Sequence, residues 1–371
     1  MERLPIIPVS EPLIGKLEEE TVLECIRSGW ISSEGQFVKK FEEACAKTCT
    51  VTHGIAVSSG TAALQVALQT LDLKAEDEVI LPTFTIISCA LAVLEAGAKP
   101  VLVDSDPDTW TMDVSQVEEK ITSRTKAIMP VHIYGHPVDM DPILSLAKKY
   151  DLYVIEDCAE AHGAEYKGKR CGCMGDISIL SFYANKLVTA GEGGMVLTNN
   201  DGFAEKARSL RNLCFKSEKR FYHTEIGHSY RMSNLQAALG FAQCARLDEF
   251  ITRKRAMAKR YTEQLRDLPI KLPVEKEWAK NIYWMYALVL DDSVSFDAFE
   301  LAQRFQHKQI QTRPFFIGMH EQPVFNNRGL FTNESYPISE RIAKRGLYLP
   351  SGQAITAKQI DTVCEALHVI L

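Results

Sequence analysis

The sequence predicts an α/β fold: a mostly parallel sheet covered on both faces by helices, followed by a smaller α+β unit. Three observations carry this. Short apolar runs at residues 78–81, 101–104, 127–133 and 152–155 lack the alternation of a half-wet strand, and stretches of helical period separate them. A long, charged, proline-free helical stretch at 247–265 comes next, and strand-like and helical runs then alternate in a shorter segment. With 371 residues, 46% hydrophobic and 24% charged, the chain has the composition of a globular protein large enough for two domains. They are expected at 14–246 and 247–371, with residues 1–13 as an arm packing nearby.

Residues 1–15 contain Pro5, Pro8 and Pro12 without a helical period and read as an extended surface arm. In 17–28, Leu17, Val22, Leu23 and Ile26 fall at helical spacing before a stop at Ser28-Gly29. The loop at 29–35 carries Trp30 and Ser32, either as a tryptophan packed on the core or as part of a ligand wall. A helix over 37–49 and a strand over 54–57 lead to Ser58-Ser59-Gly60-Thr61, which opens a helix over 62–71. The free N–H groups of a helix start suit a phosphate, although serine and threonine also simply cap helices.

Strand 78–81, helix 86–96 stopped by Gly97, strand 101–104, helix 114–121, strand 127–133, helix 142–149 and strand 152–155 follow in order. Ligands of such sheets gather beyond the carboxyl ends of the strands, where Asp157 falls. An apolar run at 177–182 then delivers Lys186 toward the turn Gly191-Glu192-Gly193-Gly194, and a strand at 195–198 leads away. A lysine in such a turn is ordinarily a solvated loop residue. Beyond 247–265, strands are expected at 284–290 and 309–315 and helices at 296–306 and 357–371. Together Lys186, Asp157, the helix start at Ser59-Gly60-Thr61 and Arg313 offer a Schiff-base lysine, a pyridinium partner, a phosphate cradle and a carboxylate-binding arginine. Pyridoxal phosphate chemistry requires that set.

The net charge of −6 gives no support for nucleic-acid binding, and the basic stretch at 253–260 reads as a solvated helix face. The N-terminal residues lack a continuous apolar signal segment, and the weakly polar run at 86–98 is too short to span a bilayer and contains Glu95. A cytoplasmic location is the expectation, with no membrane partner. Ten cysteines include Cys158, Cys171 and Cys173, but no pair of Cys-x-x-Cys units, so no metal is expected. Cys89, Cys158 and Cys364 suit reduced core thiols.

Several stretches in order along the chain resemble the DegT/DnrJ/EryC1/StrS sugar aminotransferases. They are Gly60-Thr61, Glu156-Asp157-Cys158-Ala159-Glu160-Ala161, Gly175-Asp176, Ser181 through Lys186, Gly191 through Gly194 and Arg231 through Ala238. The likeness runs from about Pro8 to the C-terminus. It implies fold type I of the pyridoxal-phosphate-dependent transferases, as in aspartate aminotransferase, with a seven-stranded sheet in the large domain, and a homodimer with active sites at the subunit interface. By resemblance Lys186 carries the cofactor and shuttles a proton. Asp157 pairs with the pyridine nitrogen, and stays ionised at neutral pH because a carboxylate beside a fixed cation has a lowered pKa. Ser59, Gly60, Thr61 and Ser181 hold the phosphate, and Glu160 lies near the ring hydroxyl.

Two positions depart from the pattern. Ser229 stands where many relatives have the asparagine that reaches the neighbouring subunit's cofactor phosphate. Ile86 stands where an aromatic ring commonly stacks on the cofactor, so either Ile86 forms an apolar wall or Phe84 supplies the ring. Trp30, Ser32, His132, Arg231, Arg313 and His320 are the candidate substrate contacts, with the core as the ordinary reading for His132 and His136 and an ion pair for Arg231. Within the family the stretches at 30–33, 131–137 and 312–314 look most like the branch that aminates GDP-4-keto-6-deoxy-D-mannose. The implied substrates are therefore a nucleotide-linked 4-keto-6-deoxyhexose and L-glutamate, with pyridoxamine phosphate as the intermediate cofactor form. UDP- or dTDP-linked acceptors, a 3-keto sugar and a cofactor-binding regulator without turnover remain the alternatives.

Overall fold

A computed structural model describes residues 6–216, 219 and 221–371; residues 1–5 of the expected arm, with Pro5, lie outside it. The strands in chain order are β1 (His53–Val57), β2 (Glu78–Pro82), β3 (Lys99–Val103), β4 (Thr125–Ile128), β5 (Tyr153–Asp157), β6 (Glu165–Tyr166) and β7 (Lys169–Arg170). They continue as β8 (Ile177–Ser181), β9 (Gly194–Thr198), β10 (Ile270–Lys271), β11 (Ala279–Lys280), β12 (Tyr286–Leu290), β13 (Arg313–Pro314) and β14 (Gly346–Leu349).

The main sheet has seven strands in the order β1-β9-β8-β5-β4-β2-β3. Its ladders are parallel from β3 through β8, and β9 alone runs against its neighbours. Every residue of β2, β8 and β9 is buried, as expected of strands covered on both faces. Helices Gln36–Thr48 and Asn234–Ala245 pack against each other, and at their crossing Gly240 faces Phe41. A Cβ there would lie 2.5 Å from the Phe41 ring, so only glycine permits the approach.

A second sheet, β10-β12-β14-β13, lies with helices Ala298–His307 and Ala357–Ile370 in a separate apolar cluster that includes Tyr261, Tyr286, Leu301 and Val363. Helix Leu247–Leu265 serves both clusters: Leu247, Phe250 and Ile251 enter the first, and Met257, Ala258, Tyr261 and Leu265 the second. Ile282, Trp284, Phe315 and Tyr336 also reach back into the first cluster. A third, small sheet, β11-β6-β7, escaped the sequence reading because its strands are two residues long. So did helices Asp201–Leu210 and Pro337–Arg345 and strand β14.

Two strand expectations are corrected. The run at 127–133 is a strand only to Ile128: Met129 still donates to Ile80 O at 2.7 Å, and beyond it a single bridge to β5 remains, Asp157 donating to Pro130 O at 2.9 Å and His132 to Asp157 O at 3.1 Å. The run at 309–315 pairs in the second sheet only at Arg313 and Pro314. Its first residues instead bond the N-terminal arm, Ile7 donating to Gln309 O at 2.9 Å and Gln311 donating to Ile7 O at 3.0 Å. The arm is thus sewn in rather than laid across the surface, and Ile7 is buried in the second cluster.

His132 and His136, on the segment after Pro130, are both core residues. In His136, Nδ1–H donates to Pro137 O at 2.7 Å and Nε2 faces the Lys276 N–H at 3.3 Å, a neutral ring with both nitrogens used. Burial pushes its pKa down to about 4. The unfolded chain takes up this proton below about pH 6.5, whereas the folded chain resists until about 4. His136 therefore supports the fold fully above pH 6.5 and loses that support as pH falls. Urea unfolding at pH 7 and pH 5 is expected to show the parent losing about 2 kcal/mol more across this interval than His136→Gln. Equal losses would contradict the assignment.

Candidate active site

The carboxyl ends of β5 and β8 bring the reactive side chains together. After Ser181 the chain turns, Phe182 donating to Gly193 O at 2.8 Å, Lys186 N to Tyr183 O at 2.9 Å and Ala190 N to Phe182 O at 2.9 Å. This turn presents Lys186 with its side chain 11% exposed. Nζ lies 3.5 Å from Glu160 Oε1 and 3.8 Å from the centre of the Trp284 ring, a charge over an aromatic face. The Trp284 indole N–H in turn donates to Asn185 O at 2.8 Å.

Asp157 and Glu160 are both buried here, and their surroundings raise both pKa values. For Asp157, burial outweighs the Ala159 N–H at 2.9 Å, the Cys89 thiol at 3.2 Å and the charge of Lys186. For Glu160, burial outweighs the charge of Lys186 and the Tyr134 N–H at 2.8 Å. The expected lowering at Asp157 presupposed a fixed cation beside it; in the protein alone, burial outweighs the groups that lower it, and the pKa rises. A buried carboxylate in that condition suits a protonated pyridine nitrogen.

Ser59 caps helix Gly60–Gln69, its hydroxyl accepting from Ala62 N at 3.1 Å. Helix geometry leaves the N–H groups of Gly60 and Thr61 without an intrahelical acceptor. A Cβ at Gly60 would lie 2.7 Å from Ser181 Cβ, so the glycine is what lets the helix start approach the end of β8. The Thr61 hydroxyl is paired with Ser88 at 2.9 Å. Exposed N–H groups at a helix start beside a serine hydroxyl form a donor set suited to a phosphate.

One cavity of about 290 Å³ is bordered by Ser59, Gly60, Thr61, Ile86, Asp157, Glu160, Ser181 and Lys186. All eight were singled out from the sequence. The cavity also takes Trp284, Phe316, Tyr348, Thr85, Ser88, Tyr183 and Glu192, which the sequence did not mark as ligand contacts. Trp284, Phe316 and Tyr348 come from the far C-terminal part of the chain. The only sequence signal for Trp284 and Phe316 was an aromatic residue at or near an expected strand, and Tyr348, on the unforeseen β14, had none.

Several candidates fall elsewhere. Phe84 is 1% exposed and packs on Tyr134, Phe315 and Phe316, so the apolar wall is Ile86, which is 40% exposed. His132 is fully buried, its Nε2–H donating to Glu156 at 3.2 Å and Nδ1 accepting from Val138 N at 3.0 Å, which leaves no ring atom for a sugar. His320 is engaged by Thr83 at 2.8 Å and Glu340 at 3.2 Å. Arg313 is exposed on a different groove, beside Ile6 and Phe299. Arg231 bonds Ser229 at 2.9 Å and Asn212 at 2.6 Å, a polar cluster rather than an ion pair. Its segment runs beside the helix start, Ser58 donating to Tyr230 O at 2.8 Å. Trp30 is 58% exposed, and the carbonyls of Trp30 and Ser32 accept from Asn234 at 2.6 and 3.0 Å. None of these borders the cavity.

Among the described residues, His132, Glu156 and Cys158 lie close enough together to resemble a metal site. Glu156, however, already accepts from the N–H groups of Gly172, Met174 and Gly175 at 2.9, 2.6 and 2.7 Å. Burial alone would raise its pKa, but these bonds and His132 hold it below the usual carboxylate value. The group is a closed hydrogen-bond network.

Comparison with known proteins gives the family. GDP-perosamine synthase of Escherichia coli O157:H7 is 41% identical over 362 residues, covering 98% of each chain. That of Caulobacter vibrioides is 40% identical over 373 residues, the whole of both chains. S. venezuelae DesV, solved in complex with a ketimine intermediate, superposes with a TM-score of 0.90 over 99% of each chain at 32% identity. The DegT/DnrJ/EryC1/StrS aminotransferase family model matches residues 12–368. A lysine turn, a buried strand-end aspartate and a helix-start phosphate cradle thus stand within a family match over nearly the whole chain, which belongs to the DegT/DnrJ/EryC1/StrS aminotransferases.

Proposed function

We propose that this aminotransferase converts GDP-4-keto-6-deoxy-D-mannose to GDP-perosamine, with L-glutamate as amino donor and pyridoxal phosphate as cofactor. The observation that carries the substrate is the full-length similarity to two GDP-perosamine synthases at 40% identity or above. The site supports the chemistry. Pyridoxal phosphate, when bound, supplies an electron sink that lets an amino group pass between carbonyl carbons.

The protein's residues would divide the remaining work. Gly60 and Thr61 would bind the phosphate through their N–H groups, with the Ser181 hydroxyl beside them. Asp157 would hold a proton on the ring nitrogen, which its buried setting favours over an unpaired charge. Lys186 Nζ would be the attachment point and the base that moves protons at the reacting carbon. The centre of the Trp284 ring lies 3.8 Å from Nζ, and Glu160 Oε1 lies 3.5 Å from the same atom. Ile86 would form one apolar wall, and the Phe316 and Tyr348 rings others.

The mouth of the cavity and its surroundings expose Ile86 and Tyr183, and Trp30, Phe221 and Ile226 are also exposed. Such apolar surface supports a homodimer with its sites near the interface. No helix among the described residues is long and apolar enough to cross a membrane. The reading places the enzyme in the cytoplasm, supplying an amino sugar for a surface polysaccharide such as an O-antigen.

Lys186→Ala is expected to lower turnover by about 10³-fold or more while the protein still retains the cofactor through its phosphate and ring contacts. Normal transamination by that variant, followed by absorbance with glutamate, would remove Lys186 from its role. Asp157→Ala is expected to depress both half-reactions, whereas a change confined to sugar binding would contradict its assignment. For the acceptor, enzyme converted with glutamate and freed of excess donor is offered GDP-, UDP- and dTDP-linked 4-keto-6-deoxy sugars separately. Reversion with the GDP-mannose derivative alone is the expected outcome; reversion with another would change the substrate and keep the chemistry.

A further inference from the structure

The turn carrying Lys186 rests on polar side chains that none of the steps above uses. Behind Asn185 and Lys186 lies a second cavity of about 10 Å³, bordered by Lys254 from helix Leu247–Leu265, by Ser351 and Gln353 after β14, and by Trp284. The N-terminal arm lines another side of it through Ser10, Glu11 and Pro12. The arm is tied to that loop, Ser351 donating to Val9 O at 2.8 Å and Ala354 to Glu11 O at 3.3 Å. A space of this size holds one water, provided polar partners face it.

The polar partners are present. Asn185 Oδ1 and both amide atoms of Gln353 are buried without a hydrogen-bond partner in the protein. Buried amides are nearly always paired, directly or through water, because an unpaired one loses its hydration for nothing. Lys254, 3% exposed, donates to Ser351 O and makes no salt bridge among the described residues, which leaves ammonium protons to spare. Burial pushes its pKa down to about 7.

We propose that one ordered water in this cavity links Asn185 Oδ1 to the Gln353 amide and the Lys254 ammonium, making Gln353 and Lys254 positioning residues for Lys186. The water takes a proton bond from Lys254 Nζ or Gln353 Nε2 and gives one to Asn185 Oδ1. Trp284 already holds the Asn185 carbonyl at 2.8 Å. With the side chain held as well, the residue preceding Lys186 is fixed on both counts. A long lysine needs such a rigid root if Nζ is to meet a reacting carbon at a set distance and angle. The proposal rests on Lys186 being the reactive lysine.

Gln353→Met keeps the length of the side chain and removes both polar atoms. In the cofactor-free protein, amide hydrogen exchange in the 183–190 turn should quicken by roughly threefold to tenfold, the loss of about one hydrogen bond. In the loaded enzyme, kcat should fall by a similar factor with KM for the sugar nucleotide unchanged. Lys254→Met should act in the same direction. A crystal structure of the parent protein should show a water in contact with Asn185 Oδ1. No water there, or a Gln353→Met protein that matches the parent in both turn exchange and kcat, overturns the proposal. If Gln353→Met does not fold, the parent's crystal structure decides alone. Borohydride reduction and peptide mapping of the parent separate the two readings. Failure to find the cofactor on Lys186 sinks the active-site assignment, whereas fixation on Lys186 without the water sinks only this inference.

Discussion

Taking the Asp157 carboxylate out of water is unfavourable, and the protein meets it with one backbone N–H and one thiol. Everything near it is arranged so that it stays buried. Parallel strands β4 and β8 flank β5, the helix starting at Gly60 packs over β8, and the loops beyond the strand ends close around the carboxylate. An open sheet with a wet face would let water in and remove the reason for the residue to seek a cationic partner.

Its neighbour shows what a structural carboxylate looks like in the same strand. Successive residues of a strand point to opposite faces, so Glu156 and Asp157 occupy different environments although both are buried. Glu156 receives three backbone N–H groups and the His132 imidazole, and its pKa falls. Asp157 receives far less, and its pKa rises. The difference between adjacent acidic residues is one of satisfaction rather than burial. It separates a residue that holds the 172–175 loop from one available to a ligand.

That distinction also marks how far the sequence could be read. Apolar runs and the residues at or just beyond their ends were legible, and with them Asp157, Lys186 and the helix start at Gly60, whereas Ser181 and Glu160 came from the resemblance alone. His132 and Phe84 were ambiguous, since a single sequence does not say which face of an irregular segment meets the core. Past Ile128 the segment keeps only a bridge to β5, which no pattern in the sequence marks. Trp284, Phe316 and Tyr348 border the same cavity as Lys186, and the Trp284 ring lies against its Nζ. No local periodicity encodes a meeting of residues so far apart in the chain. The choice between Phe84 and Ile86 likewise needed the aromatic cluster of Tyr134, Phe315 and Phe316 that claims Phe84.

The balance of charge in the cavity completes the argument. Asp157 and Glu160 are two buried carboxylates, and Lys186 is the cation that lowers both. The acids gather at the strand ends, while elsewhere on the cavity wall the helix start at Gly60 presents the positive end of its dipole. The cavity is therefore polarised. It favours a ligand with a protonated ring nitrogen toward Asp157 and an anionic group toward the helix start. A compound with only one of those features would leave either the acids or the N–H groups unmet. Lys186 stands between these poles, its Nζ 3.5 Å from Glu160 Oε1 and 3.8 Å from the centre of the Trp284 ring.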